Sequence, residues 1–229
     1  MLFKKIIKYL FYSIALFFAS SIVSVVLTKW INPFITPAMI IRTIEGVFEG
    51  KFVGINQDWV AFEDISPNFF RAVVAAEDAK FMRHNGFDRK AIEAAKRYNE
   101  IHKGKKKRGA STISMQTAKN TFLYHWRNYI RKGLEAYFTI LIENIWGKKR
   151  IIEVYANVIE FGDGLYGVEA ASQHFWGKSA RNLTKREAAL LAAVLPNPHR
   201  WSPARPTPYI NRRVAWIMGR MNSVAIPKA

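Results

Sequence analysis

Glu77-Asp78-Ala79-Lys80-Phe81-Met82-Arg83-His84-Asn85-Gly86-Phe87-Asp88 sets two adjacent carboxylates, a histidine, a glycine and a third carboxylate within twelve residues. An apolar run precedes it: Phe69, Phe70, Ala72, Val73, Val74, Ala75 and Ala76. Ser66-Pro67 supplies an N-cap and a first-turn proline, so a buried helix ending at Glu77 is expected. Burial disfavours a charged carboxylate, which can hold such a group near neutral pKa as an acid or base. The same residues also suit a solvent-facing helix end, with Glu77 and Asp78 paired to Lys80 and Arg83.

Downstream, Asp88 N-caps an expected helix to Glu100. His102-Lys103-Gly104-Lys105-Lys106-Lys107-Arg108-Gly109 then reads as a basic loop, suited to anionic head groups or simply to water. A second polar block, Gly109 to Asn120, opens with Ser111 or Thr112 as N-cap. Ser111, Gln116 and Lys119 add donors and a cation to a helix start, a combination that suits phosphate. In a third block Arg127, Arg131 and Glu135 fall at i, i+4 and i+8, forming either a functional face or a plain ion-pair ladder. The fourth, Lys148 to Asn157, is apolar at Ile151, Ile152, Val154 and Tyr155, with Glu153 read as structural. Gly162, Gly164 and Gly167 mark a tight turn. Thr184-Lys185-Arg186-Glu187 is a capping box opening an apolar helix to Leu195, and Tyr209–Met221 is a last amphipathic segment.

At the other end, residues 6–27 are almost continuously apolar and long enough to cross a bilayer. Lys4 and Lys5 precede them, Lys8 lies near their edge, and together these place the N-terminus in the cytoplasm. A retained anchor fits better than a cleaved signal, because the span is long and no A-x-A site follows. Residues 31–60 read as a linker with a strand or two, broken at Asn32-Pro33 and Thr36-Pro37. The 229-residue chain carries 35 Lys+Arg against 17 Asp+Glu, a net charge of +18, and expects an anionic partner. With no cysteine, disulfides and thiolate metal sites are excluded.

Taken together, the four blocks resemble the peptidoglycan glycosyltransferase family (glycosyltransferase family 51). Its Glu-Asp-x-x-Phe-x-x-His-x-Gly motif is matched from Glu77 through Gly86. Gly109, Ser111, Thr112, Ile113, Ser114 and Gln116 match the second motif; Arg131, Lys132, Glu135 and Ala136 the third; Lys148, Ile151, Glu153, Tyr155 and Asn157 the fourth. Met115 stands where the family has the first Gln of a pair that lines its cleft, and Ala156 where it has Leu.

The resemblance implies a mainly α, lysozyme-like domain at 61–222 with a smaller membrane-facing lobe over about 85–125. A cytoplasmic stub and transmembrane anchor (1–30), the linker (31–60) and a tail (223–229) complete the chain. It further implies polymerisation of lipid II onto a growing glycan chain, with inversion and release of undecaprenyl pyrophosphate. Glu77 would be the general base and Glu135 the second catalytic glutamate. Asp78, Ser111, Gln116, Lys119, Arg127 and Lys132 would contact substrate, with Asp78 orienting the first motif. A divalent cation, Mg2+ or Mn2+, beside Glu135 is left open by the resemblance. The implied setting is the bacterial inner membrane, with the domain outside and with division or wall-synthesis proteins as neighbours. Nucleic acid is not an expected partner, since the topology puts the domain on the wrong side. Two alternatives stand beside this: a lytic murein enzyme of similar fold, and a non-catalytic scaffold of the wall-synthesis complex.

Overall fold

A computed structural model describes residues 2–103, 108–126 and 128–228. Residues 104–107 of the basic loop and Arg127 lie outside the described residues.

Helix α1 (Leu2–Thr28) is 27 residues long, about 40 Å at 1.5 Å per residue, against a hydrocarbon core of about 30 Å. From Phe3 through Ser20 its side chains are exposed although mostly apolar, as a helix solvated by lipid requires. The last turns differ. Ser21 Oγ lies 2.8 Å from Tyr137 Oη, Trp146 Nε1 donates to the Val25 carbonyl at 2.7 Å, and Arg150 donates to the Thr28 carbonyl at 2.9 Å. A guanidinium at the carbonyl end of a helix satisfies orphan acceptors and complements the dipole. The apolar helix is thereby bolted to the domain.

The expected linker is in part a helix, α2 (Pro37–Phe48), and the physical reason lies in Thr36-Pro37 itself. Thr36 accepts the Met39 N–H and Pro37 occupies the first turn, so the pair that stops one helix starts the next. Ala38 and Met39 are buried, whereas Ile40, Ile44, Val47 and Phe48 are exposed. β1 (Asn56–Gln57) pairs in parallel with β3 (Leu165–Tyr166), which is antiparallel to β2 (Glu160–Gly162). The expected glycine turn is the β2–β3 hairpin. Gly164 has φ +72°, and a Cβ there would sit 2.3 Å from the Gly54 carbonyl oxygen.

The core is helical. α3 (Pro67–Glu77) buries Phe69, Phe70 and Ala72 through Ala75, and packs on α9 (Lys185–Val194), which is buried from Ala188 to Val194. Ser66 caps α3 and the Thr184/Glu187 capping box opens α9, as their sequences require. α5 (Ile113–Phe122) packs against both α6 (Tyr129–Ile145) and α7 (Lys148–Val158). Asn157 at the end of α7 clamps the backbone before α3: its amide accepts the Val60 N–H and donates to the Val60 carbonyl, both at 2.9 Å. α8 (Val168–Trp176) and α10 (Pro208–Met218) close the far side. α4 (Arg89–Ile101) stands apart, burying only Ala95 among its described residues, with Asp88 as the expected N-cap.

Candidate active site

Glu77 is the last residue of α3, and its carboxylate is 17 % exposed. Gln116 Nε2 donates to Oε2 at 3.0 Å, and Arg213 Nη2 donates to Oε1 at 3.2 Å. Burial pushes the Glu77 carboxyl above its ordinary pKa, with Asp78 adding to the rise; the Gln116 bond and the charges of Arg213 and Lys119 work against it. The result is a carboxylate fixed at both oxygens whose proton affinity is raised chiefly by loss of water. Below the acid pair, the buried Tyr155 phenol is pushed up by burial and then by the charges of Glu77 and Asp78.

Asp78 plays a different part from its neighbour. Its oxygens lie 2.9 and 3.0 Å from His84 Nε2, and Oδ2 accepts the Ile113 N–H at 3.1 Å. The carboxylate thus meets the first free donor of α5, where a negative charge is favoured. With its side chain 2 % exposed, Asp78 joins the first motif to the second and offers substrate almost no surface. The Gly86 carbonyl accepts from Thr112 Oγ1 at 2.6 Å, a second stitch between these motifs. Gly86 has φ +86°, and a Cβ there would lie 2.7 Å from Thr139, which accounts for the glycine in His-x-Gly.

Next to Glu77 opens a cleft of about 730 Å³. Gln116, Lys119, Asn120 and His125 form one wall; Arg42 and Glu45 of α2 and Glu49 at its C-cap face them, and Glu160, Asp163 and His199 close the end. Burial and the Lys119 charge lower the His125 pKa, which favours the neutral imidazole. Arg42 binds Asp163 at 2.6 and 2.8 Å. His199, held up by its hydrogen bond to Glu160, lies 3.2 Å from that carboxylate.

The other group of expected residues gathers at the start of α5. Glu135 is buried on α6, its side chain 3 % exposed; Arg131 Nη1 binds Oε2 at 2.5 Å and Lys132 Nζ binds Oε1. Lys132 also reaches within 3.5 Å of Ser111 Oγ. α6 begins at Tyr129 with Asn128 as N-cap, so the ladder keeps Arg131 and Glu135. Gln116 and Lys119 lie about 7 and 12 Å further along α5 than Ser111 by helical rise. The structure therefore brings Gln116 and Lys119 to Glu77, and Ser111 and Lys132 to Glu135. The surroundings of Glu135 do not suit a divalent cation, because two cationic side chains already hold its oxygens. Among the described residues, Glu160, Asp163 and His199 come closer to a metal-ligand set, but Arg42 already bonds Asp163 there.

Met115 is 5 % exposed and packs inward. The amide that meets Glu77 is that of Gln116.

Arg213 is the partner of Glu77 that sequence reasoning missed. The signal was present: Ile210, Val214 and Ile217 form the buried stripe of α10, and Arg213 falls beside them at i+3, where an arginine must have a partner. Exposed apolar side chains outside α1 concentrate around residues 30–52 and 126–130, with Phe48 at 87 %, Phe52 at 96 % and Ile130 at 77 %. The apolar face of the domain thus runs along α2 and the start of α6 rather than α4.

A buried carboxylate at the end of a core helix, beside a cleft that mixes Lys119 and Arg42 with Glu45, Glu49, Glu160 and Asp163, on a helical domain, is the arrangement of a glycosyl-transferring enzyme of lysozyme-like architecture. A sequence model of the family described as Transglycosylase matches residues 46–222, and the chain belongs to that family. The match begins at the last residues of α2 and takes in the other cleft wall, from Gln116 to His199. Among curated relatives, the biosynthetic peptidoglycan transglycosylase of Bdellovibrio bacteriovorus is 53 % identical over 222 residues, 97 % of this chain and 88 % of that protein. Its namesake in Shewanella oneidensis is 50 % identical over 212 residues, 92 % of this chain and 88 % of the relative. That of Caulobacter vibrioides is 50 % identical over 199 residues, 87 % and 83 %.

Proposed function

We propose that this chain is a peptidoglycan glycosyltransferase that polymerises lipid II into β-1,4-linked glycan strands, releasing undecaprenyl pyrophosphate, with Glu77 as general base. The observation that carries the proposal is the Glu77 carboxylate: desolvated, held at both oxygens, and bonded to Gln116, which lines the cleft together with Lys119. The incoming sugar 4-hydroxyl gives its proton to Glu77 while its oxygen forms the bond to the donor anomeric carbon. The bond from that carbon to the pyrophosphate oxygen breaks on the opposite face, which inverts the centre. Negative charge grows on the leaving pyrophosphate, where fixed cations stabilise it more than they do the ground state. Lys119 lines the cleft for this task; Arg127 is assigned the same role by the family resemblance. Glu135 keeps Arg131 and Lys132 in place at the start of α5, and Ser111 and Gln116 offer hydrogen bonds to substrate.

The proposed setting is single-pass anchorage in the inner membrane by α1, with the N-terminus cytoplasmic, the domain outside and wall-synthesis proteins as neighbours. An apolar helix long enough to span the bilayer and an exposed apolar face beside it support this placement. The test is polymerisation of labelled lipid II by the full chain in liposomes, wild type beside Glu77→Gln. Polymer from wild type alone is expected. Polymer from both would overturn the role of Glu77, and none from folded wild type would overturn the activity.

A further inference from the structure

A second cavity, about 590 Å³, opens between the last turns of α1 and the catalytic domain. Its α1 wall runs from Phe17 to Thr28, about 18 Å of helix, which is the half of the span nearest the domain. Ser20, Ser24 and Thr28 stand on this wall at four-residue spacing. Ser20 and Thr28 donate to their own helix carbonyls, Phe17 at 3.1 Å and Ser24 at 2.8 Å. Their polar atoms are thereby satisfied inside α1, and the small side chains leave an open trough. Phe34 and Ile35 close another side, 60 % and 62 % exposed.

The trough and the cleft are walled by the same two helices, α5 and α2. Lys119 and Asn120 line the cleft, while Thr121 and Phe122 line the trough. Lys119 and Phe122 are neighbours at i, i+3 on α5. α2 spans the same boundary, with Pro37 at the trough and Arg42 and Glu45 at the cleft. At the junction, Thr121 is only 4 % exposed, and its Oγ1 has no hydrogen-bond partner among the described residues. A buried hydroxyl without a partner costs free energy unless a ligand supplies one. A ligand suited to both halves has an oxyanion at one end and an apolar chain at the other.

We propose that this trough receives the first isoprene units of the polyprenyl chain of the lipid-linked substrate, with the Thr121 hydroxyl facing its phosphate end. The proposal rests on the lipid II reading given above and adds the path of the tail. α1 is then a wall of the substrate site as well as an anchor.

The experiment uses the full chain in liposomes and undecaprenyl phosphate carrying a photoreactive group on its second isoprene unit. Glu77→Gln protein is used for crosslinking, so that the readout does not depend on turnover. Label in residues 20–28 and 121–122, displaced by unlabelled undecaprenyl phosphate, is expected. Label spread along the outer face of α1, or displaced equally by phosphatidylglycerol, would overturn the proposal in favour of bulk lipid. In turnover, Ser24→Trp fills the trough and should lower kcat/KM about tenfold more for a fifty-five-carbon substrate than for a ten-carbon one. Leu16→Trp, on the lipid-facing side of α1 (69 % exposed), should leave that ratio unchanged. Equal losses on both chain lengths with Ser24→Trp would also overturn it. If wild type makes no polymer, the activity proposal fails while the crosslink map still reports the trough.

Discussion

Glu77 on α3 and Glu135 on α6 are glutamates of the same helical domain, and each is held at both carboxylate oxygens. The partners differ. Glu77 takes one neutral amide and one guanidinium, the latter at 3.2 Å. Glu135 takes a guanidinium at 2.5 Å and an ammonium in direct contact. The first has raised proton affinity because desolvation exceeds the attraction of its partners. The second sits in a three-member ion cluster, where it serves as the counter-charge that lets Arg131 be buried. The same residue type therefore sits in one place as a carboxylate with raised proton affinity and in the other as the centre of an ion cluster, with burial and surrounding charge making the difference.

The contrast breaks most directly at Glu77. Glu77→Gln should lower polymerisation about a thousandfold, the usual scale for losing a general base, with the melting temperature nearly unchanged. A rate measured alongside a thermal melt checks both halves. If the variant unfolds instead, Glu77 belongs with Glu135 as a structural group.

Glu135→Ala should do the opposite and act first on stability. It strands Arg131, whose side chain is 10 % exposed, at a cost of about 3 kcal/mol. For a chain of this size the melt should fall by roughly 6–12 °C. A folded variant melting as wild type does would show that the cluster carries no structural load.

Arg213→Gln sharpens the comparison by making Glu77 less like Glu135. Arg213 lowers the Glu77 pKa against the effect of burial, so removing its charge lifts that pKa further. A general base works deprotonated, and activity is lost as pH falls through its pKa. The acidic limb of the pH–rate profile should therefore move up by about one pH unit, a differential interaction of about 1.4 kcal/mol. An unmoved or downward-moving limb would remove Arg213 from the account of Glu77.

The smallest effect is expected at the far end of the cleft. Arg42 is 11 % exposed, but its partner Asp163 is 40 % exposed, so water screens much of the pair. Arg42→Ala should cost about 0–1 kcal/mol, and less still at high salt. A loss matching that of Glu135→Ala, measured by the same melt, would make this surface cluster part of the core.

Local signals were legible in the chain wherever a residue answers to its immediate neighbours. Ser66-Pro67, Asp88 and Thr184…Glu187 announced their helix starts because a cap is satisfied within three residues. The Glu77 stretch was legible as a candidate base because an apolar helix leads into it. The α2 helix was misread because Thr36-Pro37 carries a stop and a start in the same two residues; its amphipathic face, not its first turn, marks it as a helix. Arg213 was missed because its partner is 136 residues away, and a lone arginine on an apolar stripe does not name the carboxylate it will meet.

By itself, then, the sequence determined the apolar span, the helical core, the caps and the four motifs, since each rests on backbone periodicity or on contacts within a few residues. Tertiary structure decided what the charged side chains do. It set Asp78 against the start of α5, gave Glu77 to Gln116 and Arg213, enclosed Glu135 between two cations, and laid the end of α1 against α6 and α7. Charge–charge energies and desolvation depend on distance and dielectric in three dimensions, and neither quantity is written in the order of residues along a chain.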